Sequence, residues 1–345
     1  MFDRIIEKQF SNRDTIVNKD FINSIYEKNK NDYSYKLFQI LDNKLYVKSN
    51  IFPEYETRFE TAKSGILGLL SKYKLPDMEF VYFDGDSLNT EDPILISTST
   101  KKNNSAILVP DFGFQFWPET HLFDYSTDLF KILRSAENIG INMDGWRSKS
   151  DKIFYRGSLN NPYRERYSLN NSFMDTKSVV GFHAEPGNPN FNINENEGCR
   201  REDKAKNKFL LHLNGGLDND YSSAFRFNLA CCSLVFYATQ AEQKEWWQDP
   251  EIFKENEHYI KVTNVEELKH VHDYFLKEEE EAFKIAKSGY DFVYKYLLPE
   301  SVEIYYRDLL IRYSKILNYK IELAEGSIQI ENYIKKPINY VEIYR

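Results

Sequence analysis

Cysteine is nearly missing from this sequence, with only Cys199, Cys231 and Cys232 among 345 residues. An odd count with two members adjacent makes neither a disulfide framework nor a metal cage, so a reduced, intracellular setting is the simplest reading. Glycine (14) and proline (11) are too scarce for a collagen-like or low-complexity chain. No stretch approaches the roughly 20 apolar residues of a membrane-spanning helix. The first fifteen residues carry charges throughout and lack the apolar core of a secretory leader. The closing Val341-Glu342-Ile343-Tyr344-Arg345 matches no retention or lipidation signal. The expected location is therefore cytoplasmic, with any membrane contact peripheral. The lysine, asparagine and isoleucine usage suggests an AT-rich bacterial or viral genome.

An excess of basic charge is missing as well. Forty-five Lys and Arg against 53 Asp and Glu leave a formal charge of −8, which opposes attraction to a phosphate backbone and sets nucleic acid aside as a partner. The sequence contains no Gly-x-Ser-x-Gly elbow, no phosphate-loop lysine motif and no dinucleotide fingerprint, which removes the commonest hydrolase, nucleotide-hydrolysing and dehydrogenase readings. Its six histidines show no metal-ligand spacing, and His270 and His272, two apart on a predicted helix, face different ways.

What the chain does have is aromatic and aliphatic bulk. Twenty-five Tyr and 25 Phe within a 41% hydrophobic composition give it a sizeable core, and its length favours two domains. Hydrophobic periodicity predicts a helix over 59–73, a strand over 79–83 that breaks at Asp84-Gly85-Asp86, and a strand over 106–109. Residues 112–117 pack four aromatics into six positions, either as a core wall or as a sugar platform on which Phe114 and Trp117 contact an acceptor. The polar turn at 146–152 sets the expected division: 1–148, 149–300 and a C-terminal 301–345 that returns to the first domain.

In the second half a strand at 153–155 leads into Arg156-Gly157-Ser158. Residues 188–207 read as an exposed loop. A buried strand follows at 209–213, then a glycine loop at 215–223, a helix at 224–232 and strands at 234–237 and 258–262. Helices are expected over 265–275, 279–297 and 304–317. Strands alternating with helices predict an α/β protein with parallel sheets, which bind ligands beyond the carboxyl ends of their strands.

Three segments place polar residues directly after a predicted strand. Around Gly215 and Arg156-Gly157-Ser158, backbone amides and a helix start can approach a phosphate, and paired arginines such as Arg156 and Arg226 suit a departing diphosphate. Either arginine could equally sit in a surface ion pair. Asp84-Gly85-Asp86 admits a metal-chelating pair, a general base, or a plain turn.

Lys152-Ile153-Phe154-Tyr155-Arg156-Gly157-Ser158, followed by Asn161-Pro162-Tyr163-Arg164-Glu165-Arg166, resembles the signature of glycosyltransferase family 90. This group contains protein O-glucosyltransferases, capsule xylosyltransferases and lipopolysaccharide-modifying enzymes. The similarity continues through Lys208 to Asn214, Ser223 to Phe236 and Glu257 to Val262. It implies a GT-B-like fold of two Rossmann-like domains facing a central cleft, inversion at the anomeric carbon, and no metal or other cofactor beyond a UDP-sugar co-substrate. It also implies Asp86 as the catalytic base, with Arg156, Gly157, Ser158, Gly215, Ser222, Ser223, Arg226 and Phe227 at the donor; Asp84, where the family requires no carboxylate, is expected on the acceptor side with Phe114 and Trp117. Arg164-Glu165-Arg166 departs from the Glu-Arg-Asp pattern of the lumenal protein-modifying enzymes and points toward a cytoplasmic enzyme with a glycan or glycoconjugate acceptor.

Overall fold

The structure, a computed structural model, describes residues 2–11, 17–49, 57–85, 95–96, 100–101, 106–117, 122, 124–157, 162–167, 172–178, 199–213, 222–238 and 243–331. Asp86, Ser158 and Gly215 lie outside the described residues. The chain divides into two compact units. One comprises Met1–Pro118, Gln243–Asp249 and Pro299–Pro337; the other comprises Glu119–Glu242, Pro250–Leu298 and Ile338–Arg345.

The first unit carries a mixed six-stranded sheet in the order Ile328–Ile330, Lys44–Lys48, Tyr35–Leu41, Met78–Phe83, Leu95–Ile96, Ile107–Leu108. Tyr35–Leu41 and Lys44–Lys48 form an antiparallel hairpin closed by Asp42 and Asn43, which have φ of 48° and 60°. Two successive left-handed residues are what a tight, right-twisted hairpin requires, and Asp and Asn tolerate that region. Tyr35–Leu41 then pairs antiparallel with Met78–Phe83, whereas Met78–Phe83, Leu95–Ile96 and Ile107–Leu108 run parallel. Parallel sheets throughout, as strand alternation predicts, therefore do not hold for this unit. The helix Pro299–Ser314 packs here: Tyr313 sets its ring 6.0 Å from Phe80 at 86°, and Tyr305 Oη donates to the Leu108 carbonyl at 2.8 Å.

The second unit is built on a five-stranded, wholly parallel sheet. Its spatial order is Ile260–Val262, Leu234–Ala238, Asn207–Leu213, Ser150–Gly157, Met174–Ser178. Numbered along the chain from the other edge, this is the doubly wound order 2-1-3-4-5, whose topological switch lies between the first and third strands, here Ser150–Gly157 and Asn207–Leu213. The helix Tyr125–Ile139 starts at Asp124, whose carboxylate accepts from Thr127 N at 2.6 Å, and ends at Gly140 with φ 107°, a left-handed stop that glycine supplies without a Cβ penalty. That helix packs on the turn Arg201–Lys206, where Ser135 Oγ donates to the Glu202 carbonyl at 2.9 Å. Trp146, 1% exposed, packs against Phe209 and Phe283. Residues 125–148 thus share this unit's core, so the boundary expected at 148/149 falls inside it; the polar turn there is only the entry to a core strand. Among the described residues no helix is long and apolar enough to cross a membrane.

Candidate active site

The carboxyl end of a parallel sheet at its switch point is where open α/β folds hold ligands, because strand ends and helix starts diverge there and leave a crevice. Here that end is formed by Arg156 and Gly157 on one strand and His212 and Leu213 on the next but one in chain order. Gly157 packs closely: a Cβ there would stand 2.5 Å from Tyr155 Oη.

Arg156 is 11% exposed and lies over the Phe154 ring, 4.3 Å from its centroid. Its Nη1 donates to the carbonyls of Tyr155 and Asp175, each at 2.9 Å, and its Nη2 donates to the two Asp175 carboxylate oxygens at 2.9 and 3.1 Å. A guanidinium has five N–H donors, so only Nε–H lies outside this set. The ion-pair reading of Arg156 is therefore realised with Asp175. The arginine fastens the edge strand Met174–Ser178 to its neighbour.

Arg226 is fully buried in the helix Ala224–Leu229, together with Phe227. Its guanidinium lies 5.6 Å from the Tyr125 ring centroid and 5.8 Å from that of Phe227. Arg201 approaches the same Phe227 ring at 5.4 Å and pairs with Asp128 at 2.9 Å. Ser222 and Ser223 precede the helix. The Ser222 carbonyl accepts from Phe225 N at 3.3 Å, and Ser223 is buried without capping the helix through its side chain.

His212 is 2% exposed and lies nearly parallel to Phe225 (4.7 Å between centroids) and Tyr237 (5.3 Å), its register partner on the next strand. Burial holds its pKa well below the ordinary histidine value, and the charges of Lys204 and Arg164 push the same way. The imidazole is part of an aromatic stack in which Phe225 and Tyr237 also lie parallel at 4.6 Å. Lys204 and Arg164 act electrostatically on His212, Arg156 and Arg201 act on Lys204, and Arg201 and Arg226 both approach the Phe227 ring, a grouping of cations that favours an anion.

Sequence reasoning missed Asp175, Arg164, Arg201, Lys204 and His212 as site groups. Asp175 lies on an edge strand whose alternating charge hides it from a hydrophobicity reading. The other signal was the excess of cations over carboxylates within 200–208, submerged in a stretch read as an exposed loop. Residues 201–206 instead form a 3-10 turn with Ala205 fully buried.

In the first unit Asp84 is 5% exposed, and its carboxylate pairs with the Lys36 ammonium, which also donates to the Tyr33 carbonyl at 2.6 Å. Burial raises the Asp84 pKa, and Lys36 opposes that rise. Asp84 N donates to the Ser34 carbonyl at 3.0 Å. The strand end that carries the Asp-Gly-Asp segment is thereby fixed, and the Asp84 carboxylate is already engaged. Among the described residues no cluster of His, Cys, Asp or Glu has the form of a metal site. Lys36→Met should leave a buried carboxylate alone and lower stability by about 3–5 kcal/mol. Lys36→Met combined with Asp84→Leu should recover most of that loss in urea denaturation; equal losses in the two proteins would mean the pair is not the cause.

Phe112 and Trp117 pack edge to face at 4.5 Å, and Arg58 lies over both rings. Phe114 is 4% exposed and faces Trp246 at 5.8 Å, so it is core wall and not the acceptor platform the sequence allowed; Trp117 is half-buried.

Comparison with known proteins agrees with this chemistry. The Glycosyl transferase family 90 model matches residues 4–341. An O-glucosyltransferase rumi homolog of Aedes aegypti is 26% identical over 324 residues, covering 85% of this chain and 74% of that protein. O-glucosyltransferase rumi of Drosophila melanogaster is 25% identical over 320 residues, covering 85% and 72%. Protein O-glucosyltransferase 1 of Bos taurus is 26% identical over 327 residues, covering 85% and 75%. The family match runs along nearly the whole length, so the chain belongs to glycosyl transferase family 90 and is a glycosyltransferase.

Proposed function

We propose that the chain transfers a sugar, glucose or xylose, from a UDP-sugar to a hydroxyl of a glycan or glycoprotein acceptor, with inversion and without a metal. The observation that carries this reading is a pair of arginines in the second unit: Arg156 at the carboxyl end of Ser150–Gly157, and Arg226 buried in the helix Ala224–Leu229 against the Phe227 ring that Arg201 also approaches. A nucleoside diphosphate leaves with concentrated negative charge. Fixed cations in a partly desolvated wall stabilise that charge more than water does, and they do so without reorganising.

In the reaction, Asp86 takes the proton of the acceptor hydroxyl as its oxygen attacks the anomeric carbon. The bond from that carbon to the β-phosphate oxygen breaks, and its electron pair leaves with UDP. An α-linked donor yields a β-glycoside. Gly157, Ser158, Gly215, Ser222 and Ser223 would bring backbone amides and hydroxyls to the phosphates. The fold proposed for this chemistry is GT-B.

Two alternatives fare less well. A metal-dependent transferase would need Asp84 as a ligand, and the Lys36 ammonium already occupies that carboxylate. A non-catalytic glycan binder would lean on the 112–117 aromatics, of which Phe112 and Phe114 are buried. The proposal predicts a β-configured product by NMR from an α-configured donor and full turnover in excess chelator. An α-configured product, or activity lost to chelator and restored by manganese, would overturn inversion or metal independence respectively.

A further inference from the structure

The turn Arg201–Lys206 and its flank carry four cations, and three of them are answered by carboxylates. Arg201 pairs with Asp128 at 2.9 Å, while Arg200 and Lys206 pair with Asp203 at 3.0 and 2.7 Å. Lys204 differs. Among the described residues its ammonium makes no ion pair and donates only to the neutral Asn228 amide oxygen, at 3.2 Å. Asn228 is 2% exposed and follows Arg226 by two positions in the helix Ala224–Leu229.

Lys204 is also coupled to both sides of the switch point. Its charge and that of Arg156, at the end of Ser150–Gly157, act on each other, and its charge depresses His212, at the end of Asn207–Leu213. Burial lowers the pKa of Lys204, and Arg201 and Arg156 lower it further. A half-buried ammonium among like charges, with one neutral acceptor among the described residues, gains from an anion that compensates it.

We propose that Lys204 is a donor-binding residue whose ammonium, presented by Asn228, takes up part of the charge of the bound nucleoside diphosphate. The inference deepens the UDP-sugar reading and rests on it. It assigns a specific task to a residue outside every motif that carries the family resemblance. A purely structural lysine would contribute to folding whether or not a ligand is bound. A ligand-compensated one destabilises the free protein and stabilises the complex.

The test is calorimetric titration of UDP and of uridine into the wild-type chain, Lys204→Met, Lys204→Gln and Asn228→Asp, with thermal unfolding of each free protein. Lys204→Met and Lys204→Gln should weaken UDP by about tenfold or more while leaving uridine within twofold, and they should unfold no earlier than wild type. Asn228→Asp, which gives Lys204 an internal carboxylate, should weaken UDP as well. Glutamine keeps a polar contact with Asn228, so it serves if the methionine variant folds poorly. If wild type binds UDP and the variants bind it equally, or if UDP and uridine weaken together, Lys204 is a structural residue and the inference falls. If wild type binds no UDP, the donor reading fails and takes this inference with it.

Discussion

Arg226→Ala should abolish useful donor chemistry, lowering kcat/KM for the UDP-sugar by about 10²–10³-fold, the range found when one preorganised charge-stabilising donor is removed. The guanidinium is fully enclosed between Tyr125 and Phe227, where a charge acts with little solvent screening. The loss should exceed that from Arg156→Ala, because Asp175 already offsets the Arg156 charge and engages four of its N–H donors. Arg226→Lys should recover little, since a point charge on a flexible stem lacks the planar fork. Thermal unfolding of the same variants is the control: a buried arginine also contributes packing, and a fall in stability with unchanged kcat/KM would make Arg226 a core residue alone. A kcat/KM within threefold of wild type would remove it from the donor site.

Asp86→Asn should lower turnover by about 10²–10⁴-fold, the usual contribution of general-base assistance, while UDP affinity stays within twofold. The split between the two readouts matters more than either alone. A base acts on the acceptor proton in the transition state and has no part in holding the diphosphate, so kcat falls and donor binding does not. The same substitution at Asp84 should behave differently. Asp84→Asn removes the partner of the buried Lys36 ammonium and should register first as lost stability. If Asp84→Asn lowered turnover as much as Asp86→Asn without destabilising the protein, the roles given to the two carboxylates would be reversed.

The C-terminal helices were largely plain from their pattern, although the one expected over 304–317 is Pro299–Ser314. The helix over 265–275 is Val265–Phe275, and that over 279–297 ends one residue earlier, at Tyr296. Their apolar stripes are uninterrupted, and Asn264 caps the first by accepting from Glu267 N at 2.8 Å. The hairpin at 35–48 was not read because buried polar residues break its apolar pattern. Lys36 and Gln39 lie within Tyr35–Leu41 at 0% exposure, and each is satisfied by a carboxylate from elsewhere in the fold, Asp84 and Glu79. Such pairs become visible only when the strands are side by side: Gln39 sits opposite Glu79 in register, forty residues apart in sequence.

The candidate site shows the same division. Arg156 and Arg226 stand in motifs and so could be named as candidates; their different surroundings could not be read. One is bound to Asp175 on an edge strand, and the other is sealed between aromatic rings. Lys204 had no motif at all; what makes it notable is that among the described residues its ammonium meets only the Asn228 amide, which is a property of the fold.

The central claim is most directly tested by UDP release from UDP-glucose, UDP-xylose and other UDP-sugars, each with and without chelator, using the slow hydrolysis of donor in the absence of acceptor. The account predicts release from one preferred donor, unchanged by chelator and lost in Arg226→Ala. Absence of release from every donor, with no thermal shift on adding UDP, would contradict it.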